Sequence, residues 1–399
     1  MRTPTELIIA DPRIQRAFRF ISEHEPDIED IQIRLSLTPA PPFQESERAR
    51  LFSDELRGMQ LHPVSDSIGN VFAGYGDLGR NPVVVGTHLD TVFPAATPLA
   101  LRRQGKTLFL PGISDNGCGI VALLWAFRAA KEAGICFQRP VVGVGTVGEE
   151  GEGNLRGARR LFDDPPWGSR ECDFIAVDGG GLHRITHQAL GSRRFRIVMR
   201  GSGGHSWADF GRANPIQAMA TAIHMFSNGV GRLKGSSFNF GLIRGGISVN
   251  AIPSEASMEV DLRSVASGAL DELEYRLSHI ARESARTAGV ALQIEKIGDR
   301  PSGTTPEQSA IVQAALEATR VFGVEARLDV GSTDANIPIS MGIPAIAIGG
   351  GGSAGNVHTE EEWFDPSNRS LGIHRLLTIV ASLAGLVNGS SGFRVPSYE

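Results

Sequence analysis

The chain has 399 residues, 41% hydrophobic and 21% charged, with a formal net charge of −5. These values fit a soluble globular protein with more than one ordinary core, so two domains are expected. They give no basic footprint for nucleic acid, and no apolar run reaches the roughly 20 residues that cross a bilayer.

At the N-terminus, Leu7, Ile8, Ala17, Phe18 and Ile21 recur at helical spacing and predict a helix over 5–24. The same stretch meets charges too soon for a secretory signal. A second helix is expected at 44–59, with the proline-rich TPAPPF loop between them, and Val64 to Tyr75 reads as a strand. Next comes PVVVGTHLDTVFP. Its β-branched run Val83-Val84-Val85 suits a strand buried on both faces, and Gly86 and Thr87 end the run. His88 and Asp90 then project from the strand's C-terminal mouth, where open α/β sheets bind ligands. They lie two apart on extended backbone, so an imidazole there can bind a metal while the carboxylate fixes its other nitrogen.

Downstream, CGIVALLWAFRAAKEA from Cys118 predicts a well-buried helix. Asp115 and Asn116 sit just ahead of it, placed either to cap its N-terminus or to serve a site. A buried strand over 141–147 ends at Gly148-Glu149-Glu150-Gly151-Glu152. Three carboxylates together repel and raise one another's pKa, so the cluster is either a solvated loop or the acidic part of a site. A strand over 174–177 ends at Asp178. A further strand, 345–348, is followed by GGGGSAG and then by His358. Between about 187 and 298 the rhythm changes to β-α-β-β-α-β, the ferredoxin-like order. Final helices are expected at 307–322 and 370–387. Cys118, Cys136 and Cys172 are an odd set without CxxC spacing, as expected of free thiols in a reducing cytoplasm.

Together His88, Asp115, Glu149, Glu150, Asp178 and His358 supply the ligands of a two-metal site. In such sites two ions about 3.5–4 Å apart share a carboxylate and activate water. Each ion would take one histidine, one terminal carboxylate and the shared one, leaving one carboxylate over as a general base.

The stretches THLDTV, PGISDNGCG, TVGEEGEGNLRGAR, GSGGHSWADFGRANPI, GGISVNAIPSEASMEVDLRS, GSTDANIPISMGIPAIAIGGG and NVHTEEEWF run in order from about residue 83 to 370. In them the chain resembles the di-zinc hydrolases that include peptidase T, the glutamate carboxypeptidases, aminoacylase and acetylornithine deacetylase. The resemblance implies an α/β fold. A zinc-exopeptidase-like mixed sheet with helices on both faces (1–186 and 299–399) would be interrupted by a ferredoxin-like lid and dimerisation domain (187–298). It implies two Zn2+ per chain, with Co2+ or Mn2+ as substitutes. His88, Asp115 and Asp178 would hold one ion, and Asp115, Glu150 and His358 the other. Asp90 would orient His88, Glu149 would act as general base, and the Asp115–Asn116 peptide would be cis.

His205 would donate to the oxyanion, in several members across a homodimer, assisted by Asn250. Arg263 and Arg300 resemble arginines that hold a substrate carboxylate, though each also fits an ordinary ion pair. Asp178, rather than glutamate, resembles the peptidase T and dipeptidase branches. The tripeptide Asn116-Gly117-Cys118 departs from the family's usual glycine-rich one, and Cys118 reads as a buried thiol rather than a soft ligand. His24, His62, His224, His279 and His374 read as surface or core residues, and His183 and His187 carry no assigned role. The expected activity is zinc-dependent exopeptidase hydrolysis of di- or tripeptides in the cytoplasm. The alternatives are an N-acyl-amino-acid amidohydrolase or carboxypeptidase of the same family, and a non-catalytic binding protein that keeps the fold.

Overall fold

The computed structural model describes residues 3–76, 79–229 and 234–387. The helix expected over 5–24 is two helices, Pro4–Ile9 and Pro12–Glu23, because Asp11 caps the second and Pro12 occupies its first turn. A third helix, Glu25–Ser36, follows at once and buries Ile28 and Leu35. Val64 to Tyr75 is likewise two pieces, Val64–Ser65 and Val71–Tyr75. Asp66 folds the turn between them by accepting the N–H groups of Ile68, Gly69 and Asn70.

The chain divides into two compact units, Met1–Ala189 with Thr304–Glu399, and Leu190–Gly303. The large unit is built on a mixed sheet. Its strands Val71–Tyr75, Val141–Thr146, Val83–His88, Asp173–Val177, Ala345–Ile348 and Arg184–Ala189 lie in that order. The middle four run parallel, so their C-terminal ends share one edge. They are buried almost throughout, as a sheet covered on both faces requires, and successive side chains enter opposite cores. Val83, Val85, Ile175, Val177, Ile346 and Ile348 join the core under the helices Pro12–Glu23, Gly117–Glu132, Ala310–Val321 and Arg369–Ala384. Val84, Val142, Val144, Phe174 and Ala345 join the opposite core, with Leu161 and Phe162 of the helix Arg156–Asp163.

The helix Gly117–Glu132 buries everything except Arg128, Lys131 and Glu132. Truncating one of its leucines to alanine would cost about 2–5 kcal/mol. Its glycines are packing requirements. A Cβ at Gly119 would fall 2.5 Å from Val177 O and onto Asn116 Oδ1, and one at Gly117 would meet Ser36 Oγ. Gly119 therefore lets this helix start press against the Asp178 strand.

The smaller unit is an antiparallel sheet in the order Ser236–Gly245, Glu255–Ser264, Gly191–Arg200, Ala291–Arg300. Helices Pro215–Gly229 and Ser267–Ala288 pack on one face over Phe195, Ile197, Met258 and Val260. The units part a few residues later than the sequence rhythm suggests. Arg184–Ala189 still pairs in the large sheet, and Ala291–Arg300 keeps its ladder to Ser192. Among the described residues no helix is long and apolar enough to cross a membrane. All three cysteines are free.

Candidate metal centre

Four chain segments deliver their side chains to the shared C-terminal edge of the parallel strands. His88 is the last residue of its strand, and Glu149 and Glu150 follow Val141–Thr146. Asp178 follows Asp173–Val177, and His358 arrives on the loop beyond Ala345–Ile348. Asp115 enters between them, just ahead of the helix Gly117–Glu132. Its two oxygens face different rings. His88 Nε2 lies 2.9 Å from Oδ1, and His358 Nε2 lies 3.0 Å from Oδ2. Each imidazole also has its own carboxylate, Asp178 at 3.5 Å from His88 and Glu150 at 3.0 Å from His358. The ligand atoms of His88, Asp115 and Asp178 lie within 4.8 Å of one another, as do those of Asp115, Glu150 and His358, and of His88, Glu149 and Glu150.

These spacings suit an ion. Zinc bonds of about 2.0–2.1 Å put neighbouring tetrahedral ligand atoms roughly 3.3 Å apart. Imidazole nitrogens with carboxylate oxygens form a donor set that zinc, cobalt and manganese accept.

Asn116 is the hub of the scaffold. Its amide donates to Thr87 Oγ1 at 3.0 Å and to the Val177 carbonyl at 2.9 Å, and its oxygen accepts the Gly179 N–H at 3.1 Å. It thus brackets Asp178 and adjoins His88, and it is fully buried. The Asp115–Asn116 peptide is cis. Asn116, not Asp115, occupies the N-cap position of the helix, and it makes no side-chain cap bond there.

Asp90 does something the spacing did not show. His88 Nδ1 hydrogen-bonds the Asp90 main-chain carbonyl at 3.1 Å, while the Asp90 carboxylate stands 3.7 Å from that nitrogen. The carboxylate instead accepts the main-chain N–H groups of Glu149 (3.0 Å) and Glu150 (2.8 Å). Its oxygens therefore hold the acidic turn in place.

The charges are strongly coupled. Burial pulls the His88 pKa down, but the surrounding carboxylates of Asp115, Asp178 and Asp90 outweigh it and hold the ring well above its ordinary value. His358 is raised to about 10 by Asp115 and Glu150, against partial burial. Burial pushes Asp115 up, yet His358 and His88 bring it below the usual carboxylate range. Asp90 is likewise depressed against its burial, by His88 and the two N–H donors. Burial lifts Asp334 to about 6, where Thr146 donates to it, and lifts Glu362 to about 7. Neither acid was singled out from the sequence. Burial also raises the Cys118 thiol above its ordinary range, as befits a core residue.

His205, Asn250, Arg263 and Arg300 lie in the smaller unit. His205 is exposed, and Gly204 and His205 pair with Ile252 and Ala251. The Asn250 carbonyl accepts the Ser206 N–H at 3.0 Å, so the His205 and Asn250 loops are bound together. His205 Nδ1 accepts from the main-chain N–H groups of Trp207 (3.2 Å) and Ala208 (3.3 Å). The proton of the neutral ring is thereby placed on Nε2. Arg263 and Arg300 both register with Ser192, so they share one row of the sheet. Arg263 Nε also donates to Asp261 at 2.7 Å, and Arg300 is buried. His374 is a core residue that bonds the Phe18 carbonyl.

Residues 84–382 match peptidase family M20/M25/M40. The chain belongs to that family. As an M20 protein it is a hydrolase, which removes the non-catalytic alternative. It is 24% identical to carboxypeptidase G2 of Pseudomonas sp. (strain RS-16), over 71% of this chain and 68% of that one. A tripeptidase of Staphylococcus aureus superposes with a TM-score of 0.77 at 20% identity, covering 90% of this chain and 98% of its own. A dinuclear metal-binding M20 peptidase of Bacillus subtilis superposes at 0.67 with 16% identity, covering 92% of this chain and 100% of its own. These structures share the α/β fold with its inserted unit.

Proposed function

We propose that this M20 hydrolase is a zinc-dependent exopeptidase of short peptides. The observation that carries the reading is Asp115, whose two oxygens each address a different imidazole. His88, Asp115 and Asp178 would hold one ion and Asp115, Glu150 and His358 the other, with Co2+ or Mn2+ accepted by the same donors. When bound, such a pair polarises a carbonyl and lowers the pKa of water from 15.7 towards about 7.

The chain's own groups do the rest. Glu149 takes the proton from the attacking water and passes it to the leaving nitrogen. Asp90 fixes the backbone of Glu149 and Glu150 so that base and ligand keep their spacing. His205 donates from Nε2 to the oxyanion, with Asn250 beside it. The smaller unit pairs two chains in this reading. Its edge strand and the loop beyond expose Leu242, Ile243, Ile247 and Val249, an apolar run that an isolated chain leaves in water.

A second reading rests on the Arg263 and Arg300 row. Two guanidinium groups flanking Ser192 suit a substrate carboxylate, which favours a carboxypeptidase or N-acyl-amino-acid amidohydrolase. A hydrolysis screen of the zinc-loaded protein separates the two. Its substrates are di- and tripeptides with either terminus blocked, and N-acyl amino acids. Loss of turnover on blocking the amine supports an aminopeptidase acting on short peptides, and loss on blocking the carboxylate supports the second reading. No hydrolysis of either class would sink both.

A further inference from the structure

Glu362 lies four residues beyond His358 and is fully buried. Its carboxylate meets no cation in the hydrogen bonds it makes. Instead Oε2 accepts the Gly112 N–H at 3.0 Å, and Oε1 accepts those of Ser114 at 2.8 Å and Asp115 at 3.0 Å. Three main-chain donors from one short loop converging on one acid form an anion-binding concavity, here filled by the protein itself.

The same segment is tied to the loop by its backbone. Leu110 N–H donates to the Glu362 carbonyl at 3.0 Å, and Trp363 and Phe364 pair with Phe109 and Leu108. The loop's carbonyls are held from the other side. Gln32 Nε2 donates to Ile113 O at 2.7 Å and Ser36 Oγ to Gly112 O at 3.3 Å, both from the helix Glu25–Ser36. Arg369 fixes Gln32 in turn, its Nη1 lying 2.9 Å from Gln32 Oε1.

We infer that Glu362 is a positioning residue that locks the Asp115 loop to the His358 segment, setting the spacing between the shared carboxylate and the second histidine before any ligand arrives. It touches neither substrate nor reacting atoms. The inference rests on the paired-metal reading for its consequence but not for its geometry. Asp115 and His358 come from parts of the chain 243 residues apart. Their side chains meet only at the site, whereas Glu362 joins their backbones directly. His88 and Asp178 are held differently, through Asn116. Glu362 therefore acts on the shared carboxylate and on the His358 side of the centre.

Glu362→Gln offers an amide whose NH2 must oppose one or two of the three N–H donors. Groups that support metal ligands are worth about 10- to 100-fold in affinity or activity. The test is a competition titration of the full chain with Zn2+ against a chromophoric chelator, with amide hydrogen exchange followed by mass spectrometry. In the native protein without metal, the amides of 112–115 should already be protected. In Glu362→Gln they should exchange faster. The affinity for the ion held by His358 should fall about 10- to 100-fold, by more than that for the His88 ion, which shares only Asp115. Glu362→Asp, which keeps the charge but is one methylene shorter, should fall between the two. Unprotected amides in the metal-free native protein would overturn the inference even if the variants failed to fold. So would no change in either affinity, or a loss confined to the His88 ion. Protected amides in a native protein that binds no zinc pair would instead overturn the paired-metal reading and leave the positioning role standing.

Discussion

The Asp90 carboxylate offers the sharpest test of how the centre is held. Its oxygens each accept one main-chain N–H, from Glu149 at 3.0 Å and Glu150 at 2.8 Å, and the side chain is fully buried. Asp90→Asn keeps the shape but leaves only one acceptor, so the NH2 group faces the second N–H. A hydrogen bond to a charged group contributes about 1.5–3 kcal/mol. At 1.36 kcal/mol per decade that predicts a loss of about 10- to 150-fold in turnover or metal affinity. The bond from His88 Nδ1 to the Asp90 main-chain carbonyl survives the substitution, so His88 keeps its orientation. The affinity lost should therefore belong to the ion held by Glu150 and His358. Stepwise zinc titration and kcat/KM on the same preparation, with Tm as a control for folding, make the measurement. If turnover and both affinities stayed within twofold, the anchoring role would be wrong. If only the His88 ion weakened, the carboxylate would be orienting His88 after all.

Other outcomes follow from the same geometry. Glu149→Gln should cut turnover by about 10²–10⁴-fold with metal content unchanged, whereas Glu150→Gln should lower metal content; equal metal loss in both would refute the division of roles. Mixing His205→Ala with Glu149→Gln chains should restore activity once subunits exchange, and no recovery after verified exchange would refute a shared site. His374 concerns stability and pH. Burial holds its pKa near 4 against 6.5 unfolded, so the unfolded chain takes up a proton first as pH falls. Stability present above pH 6.5 should fall by about 3 kcal/mol between pH 6.5 and 4, and His374→Gln should flatten that window in denaturant titrations. A slope identical to the native protein's would place the acid sensitivity elsewhere.

Much of the centre was legible in the chain because its signals are local. A β-branched run such as Val83-Val84-Val85 announces a buried strand, and a ligand-type residue just past its end lies where such sheets bind ligands. Repeated at His88, Glu149, Glu150 and Asp178, that pattern needs no tertiary knowledge. The ferredoxin-like order of the inserted segment is readable for the same reason, since its periods alternate cleanly. The helix Glu25–Ser36 carried a signal too, in Ile28, Ile31 and Leu35 at helical spacing. It was hidden by proximity to the helix before it, from which only His24 separates it.

What the sequence could not settle is where equivalent groups send their hydrogen bonds. Glu360, Glu361 and Glu362 are chemically alike and adjacent. Yet Glu360 and Glu361 are exposed, Glu361 meeting Arg102, while Glu362 is buried against three main-chain donors. The spacing of His88 and Asp90 shows that the two can meet, but not that Asp90 turns its carboxylate to another strand's turn and leaves its carbonyl for the imidazole. Residue type and local period determine which groups reach the edge of the sheet. Only the packing of distant segments decides which N–H each buried carboxylate accepts, because a buried charge must find its donors wherever the fold brings them.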